Sequence, residues 1–234
     1  GVGFALMDVA VIGGTGAEGF GLSLRLASAG HRVTIGSRDA QRGADAARRA
    51  VETLADTAQV TGTTNEDAAA SVDVLMVTVP FAGQADIYRS IAGSVRPGAI
   101  VMDATSPLAT AVGGRAWQVV RPWHGSAAEQ ASALLGEGPR VVAAFHTIAA
   151  HALADLEHPL DSDVLVCGDD DDAKTVIGGL IDDIPDLRWI DCGALSMARI
   201  TETLTPLLIN VNRRYKTKDS AFRIVGREGW GSPP

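Results

Sequence analysis

The stretch from Asp8 to Leu22, Asp-Val-Ala-Val-Ile-Gly-Gly-Thr-Gly-Ala-Glu-Gly-Phe-Gly-Leu, constrains this chain more than any other. An apolar, β-branched run from Val9 to Ile12 passes into glycines and then into a helix-forming segment. Gly14, Gly16 and Gly19 have the spacing G-x-G-x-x-G. One glycine allows the tight turn off a strand, the second lets backbone approach a pyrophosphate, and the third lets helix and strand pack closely. The helix N-terminus then offers free N–H groups and the positive end of its dipole to phosphates. With a strand before, a helix after and a second strand at the expected distance, the turn reads as a dinucleotide site rather than a plain connection.

The rest of the chain repeats this strand–helix rhythm. A helix over Gly21–Ala29 stops at Gly30, and strand His31–Gly36 follows. Next come a polar helix over Asp39–Asp56, a short edge strand over Gln59–Thr63 and a nearly continuous apolar strand over Val72–Val79 that ends at Pro80. A helix to Ile91 and strand Ala99–Asp103 complete the pattern, which is that of a doubly wound, mainly parallel sheet of Rossmann type. Thr105 to His124 breaks it with Ser106-Pro107, Gly113-Gly114 and Pro122, a loop long enough to suggest function. Beyond a helix starting near Ser126, strands are expected at Arg140–Phe145, Asp163–Cys167 and Leu187–Asp191, with a helix over Asp171–Ile184. Ser196–Tyr215 reads as one long helix with Ile200, Leu204, Leu207, Leu208 and Val211 on its apolar face, and Phe222–Val225 as a closing strand. The natural division is a dinucleotide-binding domain over 7–193, including the extension after the 105–124 loop, and a small helix-dominated part over 194–234.

A net charge of -8 without long basic runs argues against nucleic acid as the main partner. No apolar run approaches the roughly 20 residues of a membrane span. The prefix Gly1–Leu6 lacks the pattern of a secretory signal, and Met7 reads as the natural start. Cys167 and Cys192 read as free thiols of a reducing cytoplasm, not as a disulfide or metal site. The run Asp169–Asp172 opens a helix, where carboxylates cap N–H groups, so no metal is expected there.

Dinucleotide folds that take NAD usually end their second strand in a carboxylate that holds the ribose 2′-hydroxyl. Here Gly36-Ser37-Arg38 stands instead, with Arg42 one helical turn further. A serine hydroxyl and two guanidiniums suit a 2′-phosphate, which favours NADP(H). The alternative keeps the arginines as surface residues and swings Asp39 onto a hydroxyl. Thr15 adds a hydroxyl inside the turn. Three strand ends could carry chemistry: Thr78-Val79-Pro80-Phe81, Ala104-Thr-Ser-Pro107 and Phe145-His146-Thr147-Ile148. Phe81 suits the wall of a nicotinamide pocket. His146 is the one candidate acid or base, against the plainer reading of a hydrogen-bonded scaffold residue. No nucleophile or acid–base constellation is otherwise present, which fits hydride transfer between two cofactors, where protein supplies position.

Several stretches together resemble one family, the NADPH-dependent reductases of the 8-hydroxy-5-deazaflavin coenzyme F420. They are Gly13-Gly-Thr-Gly…Gly19, Gly36-Ser-Arg38, Thr78-Val-Pro80, Gly125-Ser-Ala-Ala-Glu129, His146-Thr-Ile148, Val166-Cys-Gly-Asp-Asp170, Asp191-Cys-Gly-Ala-Leu-Ser196 and Glu202 through Asn212-Arg-Arg-Tyr-Lys216. The resemblance implies an oxidoreductase moving a hydride reversibly between NADPH and F420. NADP would lie on Gly13, Gly14, Thr15, Gly16, Ala17, Glu18 and Gly19, with Ser37, Arg38 and Arg42 at the 2′-phosphate. Val79, Pro80, Phe81, His146, Thr147 and Ile148 would flank the nicotinamide. Ser196, Thr205, Leu208, Arg213 and Arg214 would serve the deazaflavin, in a cleft closed by the C-terminal part of a homodimeric cytoplasmic enzyme. Where relatives often carry Asn-Leu in the turn this chain has Ala17-Glu18, and where many carry proline after His-Thr-Ile it has Ala149. The cations Arg213, Arg214, Lys216, Lys218, Arg223 and Arg227 gather near the end and could steer an anionic coenzyme tail. An NADPH oxidoreductase acting on a flavin or a small imine or carbonyl, and a non-catalytic NADP sensor, are the competing readings.

Overall fold

Val9 to Ile12 are wholly buried, and the sheet is laid out on both sides of them. The computed structural model describes residues 5–54 and 58–226. In chain order its elements are β1 (Asp8–Ile12), α1 (Ala17–Ser28), β2 (Arg32–Ser37), α2 (Ala40–Thr53), β3 (Val60–Thr64), α3 (Asn65–Ser71), β4 (Val74–Val77), α4 (Phe81–Ile91), β5 (Ile100–Asp103) and α5 (Ala127–Leu135). There follow β6 (Arg140–Ala143), α6 (Ala150–Ala154), β7 (Ser162–Gly168), α7 (Asp171–Asp182), β8 (Leu187–Asp191), α8 (Ala198–Thr201) and α9 (Leu204–Tyr215). The strands form one sheet in the order β3-β2-β1-β4-β5-β6-β7-β8. All neighbours are parallel except β6 and β7. The order reverses direction between β1 and β4, and that is where open α/β sheets bind ligands.

Side chains alternate across each strand. Val9 and Val11 pack with Leu22, Leu26 and Ile35 on one face, and Ala10 and Ile12 with Leu75, Tyr88 and Ile91 on the other. Each of the buried valines, leucines and isoleucines contributes roughly 1.5–3 kcal/mol. Buried Arg25 of α1 donates to the carbonyls of Leu153 (3.0 Å) and Ala152 (2.9 Å), and so fixes α6 and the strand-end segment before it.

The structure departs from the sequence expectations at several places. The segment after β3 is a short helix, α3, capped by the Thr64 side chain accepting from the Asp67 amide. β7 runs antiparallel to β6, so β7–α7–β8 is an inverted extension of the sheet. Ser196–Tyr215 is not one helix. A 3-10 turn (Leu195–Met197) leads into α8, and α9 restarts at Leu204. Pro206 is the reason, since it has no N–H to give the Glu202 carbonyl four residues back. Phe222–Val225 is not a strand, although it docks on β7: the Asp163 amide donates to the Phe222 carbonyl at 2.9 Å and the Ile224 amide to the Asp163 carboxylate at 2.6 Å. Between Thr105 and His124 the chain forms a 3-10 turn (Ala109–Val112) and a bridge from Leu108 to Val119.

The acidic run is used structurally. Asp169 accepts from the Leu195 amide (2.9 Å), Asp170 caps α7 through the Ala173 amide (2.7 Å), and Asp171 pairs with Lys174. Arg223 bonds Asp163 and Asp161, so its charge is neutralised and it does not belong to a free basic cluster. Arg227, Gly1–Phe4 and the expected end of the second helix at Asp56 lie outside the described residues. Among the described residues no helix is long and apolar enough to cross a membrane.

Candidate active site

The glycine turn is shaped by what stands behind it. Gly13 has φ +74°, and a side chain there would strike Val79 at 2.5 Å. A Cβ on Gly14 would lie 2.8 Å from the Val11 carbonyl, and one on Gly19 would lie 2.4 Å from Thr78 Oγ1. Gly19 is thus the close helix–strand contact its spacing implied. Gly16 precedes α1 as its capping residue and has no side chain to cap it, so the first-turn amides at Ala17, Glu18 and Gly19 stay open to an anion.

A cleft of about 450 Å³ runs from this turn across the strand ends, lined among others by Gly13, Thr15, Gly16, Ser37, Arg38 and Arg42. Val79 and Pro80, with Ala82, Gly83, Asp86 and Ile87 of α4, line the rest of it. Asp39, the carboxylate that follows Arg38 at the end of β2, is the cap of α2 and accepts from the Arg42 amide at 2.9 Å. Among the described residues neither Arg38 nor Arg42 has a side-chain partner. Two exposed guanidiniums and no free carboxylate at the end of β2 are the donor set for a phosphate.

Glu18 is half-buried. Desolvation, with the nearby Asp103 charge, pushes its carboxyl up to about 8. Phe81 does not line the dinucleotide cleft. It joins Pro80, Ala82, Ser106, Leu108 and Thr110 around a small hollow of about 130 Å³ that meets the cleft at Pro80 and Ala82. His146, Thr147 and Ile148 are buried at the end of β6. Burial drives the His146 imidazole down to about 3, and among the described residues its buried Nε2 has no partner. The ring is neutral at physiological pH and is no reservoir for a proton there. The Thr205 hydroxyl, 2.7 Å from that of Ser106, donates to the His146 carbonyl at 2.7 Å and so ties α9 to this segment.

Leu208 is buried, while Ser196, Arg213 and Arg214 are exposed. Ser196 lines none of these hollows. Arg213 stacks 4.3 Å from the Trp117 ring, beside a groove of about 340 Å³ between the 105–124 loop and α9.

Sequence reasoning missed four polar residues here. Asn65 is buried, lines the cleft and accepts from the Gly13 amide at 3.2 Å. Its side-chain oxygen would be 2.9 Å from a Cβ on residue 36, which is why a glycine precedes Ser37. Asp103 is wholly buried and accepts from Tyr88 (2.6 Å), Gln84 (3.0 Å) and the Thr105 amide (2.9 Å), and burial pushes its carboxyl up. Glu202 accepts from the amides of Ala127 (2.8 Å) and Ala128 (2.9 Å), capping α5 from another element, and burial pushes it up to about 8. Gln84 bridges the two by donating to the Ala127 carbonyl at 2.9 Å. Only the capping signal Thr64-x-x-Asp67 beside Asn65 was available in the sequence. The other three contacts join residues far apart in the chain.

A Rossmann-type sheet whose glycine turn opens on a cleft ending in two free guanidiniums defines a dinucleotide-binding protein of the NADP class. Comparison with known proteins narrows this. The family model for coenzyme F420-dependent NADP oxidoreductases matches residues 8–107. An F420-dependent NADP reductase from Methanothermobacter thermautotrophicus is 46% identical over 222 residues, covering 94% of this chain and 95% of the relative. The enzyme of that name from Methanocaldococcus jannaschii is 40% identical, covering 95% of this chain and 100% of the relative. The crystal structure of a candidate F420-dependent NADP reductase from an Arthrobacter species superposes with a TM-score of 0.79 at 27% identity, covering 94% of this chain and 100% of that one. The chain belongs to the F420-dependent NADP reductase family. A 3-hydroxyisobutyrate dehydrogenase from Mycobacterium tuberculosis, at a TM-score of 0.60 and 16% identity, shares the fold.

Proposed function

We propose that this chain transfers a hydride reversibly between NADPH and F420. The observation that carries the reading is the cleft between open helix amides and two unpaired guanidiniums, in a chain 46% identical over nearly its whole length to an F420-dependent NADP reductase. NADPH, when bound, supplies the hydride that the deazaflavin accepts. Every other task falls to this chain. The Gly13–Gly19 turn, with Thr15 and the amides of Ala17 and Glu18, holds the pyrophosphate. A carboxyl raised to about 8 lets Glu18 sit near phosphates largely uncharged at neutral pH. Ser37, Arg38 and Arg42 take the 2′-phosphate. Asn65, which lines the cleft, fixes the turn by accepting from the Gly13 amide.

Val79 and Pro80 form the nicotinamide's wall, with His146, Thr147 and Ile148 beyond them. We assign the buried, neutral His146 an orienting role toward the nicotinamide amide, through an Nε2 that has no partner among the described residues. The hollow at Phe81 and Ser106, and the α8–α9 arm with Ser196, Thr205, Leu208, Arg213 and Arg214, serve the deazaflavin. Catalysis is then by positioning two flat rings. This reading treats 7–193 as the NADP-binding domain and 194–234 as the arm that completes the second site. Met197, Ile200 and Leu207 leave apolar surface on that arm, and a second copy covering it gives a homodimer. Free Cys167 and Cys192 fit a reducing, cytoplasmic setting.

The test is to mix protein, NADPH and oxidised F420 and follow the coenzyme's visible absorbance. Loss of absorbance that needs all three supports the reading. NADPH oxidation that occurs with FMN or a carbonyl but not with F420 overturns it.

A further inference from the structure

We propose that Cys167 and Cys192 form a dithiol site that a small peroxide converts reversibly to an intramolecular disulfide, and that α8 responds to the change. β7 and β8 pair in parallel with Val166 opposite Asp191. The Cys192 amide donates to the Val166 carbonyl at 2.7 Å, which carries the ladder one residue further. Cys167 and Cys192 are therefore neighbours on adjacent strands. Adjacent strands lie about 4.8 Å apart, inside the roughly 4.4–6.8 Å over which a disulfide spans two Cα atoms.

Both side chains lie on the same face, since both pack into the cluster of Ala128, Ala143, Leu195 and Ala198. The two thiols are unequal. The neighbouring Cys192 sulfur, with burial, pushes Cys167 up, and Cys167 draws Cys192 down. Cys192 is also the half-buried one, so the better nucleophile is the one a small oxidant reaches.

The chemistry balances with hydrogen peroxide as the oxidant. The Cys192 sulfur attacks a peroxide oxygen, the O–O bond breaks, and water leaves a sulfenic acid behind. The Cys167 thiol then attacks that sulfur. The S–S bond forms, the S–O bond breaks, and hydroxide leaves with the thiol proton as a second water. The protein loses two electrons and two hydrogens, and a dithiol reductant returns them. The bridge also draws the Cys167 sulfur away from the Thr201 hydroxyl on α8, 3.7 Å away. Thr201 precedes Glu202, which caps α5, so α8 is coupled to the pair.

The experiment treats reduced full-length protein with a modest excess of hydrogen peroxide, then removes it. Intact mass, alkylation and hydrogen exchange are read. The expected result is loss of the mass of two hydrogens per chain, protection of both cysteines from alkylation and full reversal by dithiothreitol. Exchange over residues 195–203 should quicken at least about twofold in the oxidised form. The Cys192→Ser and Cys192→Ala proteins, treated alike, should show neither change. Thiols that stay alkylatable, gain of oxygen without loss of hydrogen, a bridge only between chains, or a bridge with unchanged exchange would overturn the proposal.

Discussion

Replacing Arg38 with alanine separates cofactor choice from everything else the chain does. Arg38 is exposed, lines the cleft beside Ser37, and has no side-chain partner among the described residues. Its loss therefore leaves no buried group unpaired and should barely change stability. A guanidinium on a phosphate makes charge-assisted hydrogen bonds worth about 1.5–3 kcal/mol where solvent is excluded. Exposure and salt screening favour the lower half of that range, about 1.5–2 kcal/mol, or roughly ten- to thirtyfold in affinity. NADH lacks the 2′-phosphate, so its kcat/KM should stay within about twofold while that for NADPH falls by this factor. The assay is steady-state turnover of F420 with each nucleotide at fixed ionic strength, where higher salt narrows the gap between wild type and variant. An unchanged NADPH/NADH ratio in Arg38→Ala, and again in Arg38→Ala/Arg42→Ala, would refute the assignment of the phosphate to the end of β2.

Three other outcomes follow from the geometry. Gly19→Ala puts a methyl 2.4 Å from Thr78 Oγ1 and 2.7 Å from the Gly14 Cα. Overpacking of that kind should cost about 1–3 kcal/mol, a melting point lower by roughly 2–12 °C in calorimetry, with a raised KM for NADPH. Asn65→Asp keeps the acceptor for the Gly13 amide but adds a charge beside bound phosphates. It should raise the KM for NADPH at least about tenfold with kcat and the KM for F420 little changed, and equal effects on both substrates would count against it. Glu202 has its carboxyl raised from 4.5 to about 8. The folded state therefore holds a proton that the unfolded chain releases between those values. Its contribution is full below pH 4.5 and is lost as pH rises through 8, with a slope of at most about 1.4 kcal/mol per pH unit. Denaturant titrations of wild type and Glu202→Gln should diverge as pH rises from 5 toward 8, with wild type losing stability faster, and parallel curves would contradict this.

What the sequence disclosed follows from where information is local. Val9 to Ile12, Val74 to Val77 and Ile100 to Asp103 are short apolar runs because both faces of a parallel sheet are covered, and such runs announce themselves. The glycine turn was legible because its spacing works within a few residues, and Gly14 and Gly19 stand where a side chain would strike neighbouring atoms. Failures came where distant contacts decide. β7 has the composition of any buried strand, and its direction depends on the connection through α6, not on its own residues. α3 is too short for a periodic apolar stripe. The break between α8 and α9 was visible in Pro206 yet outweighed by the apolar pattern around it. Asn65, Asp103 and Glu202 carry no motif. Their roles exist because β2, β4, β5 and the C-terminal arm converge at one end of the sheet. Arg223 shows the converse error, a cation that composition groups with a cluster while the fold pairs it with Asp163 and Asp161.

The most direct test of hydride transfer between the two coenzymes uses NADPH deuterated at both C4 positions, with oxidised F420 in ordinary water. Direct transfer predicts one deuterium at C5 of every reduced deazaflavin formed, and in heavy water with unlabelled NADPH it predicts none at that carbon. Solvent hydrogen at C5 in the first experiment, or no reduced F420 at all from a protein that binds NADPH, would contradict the account.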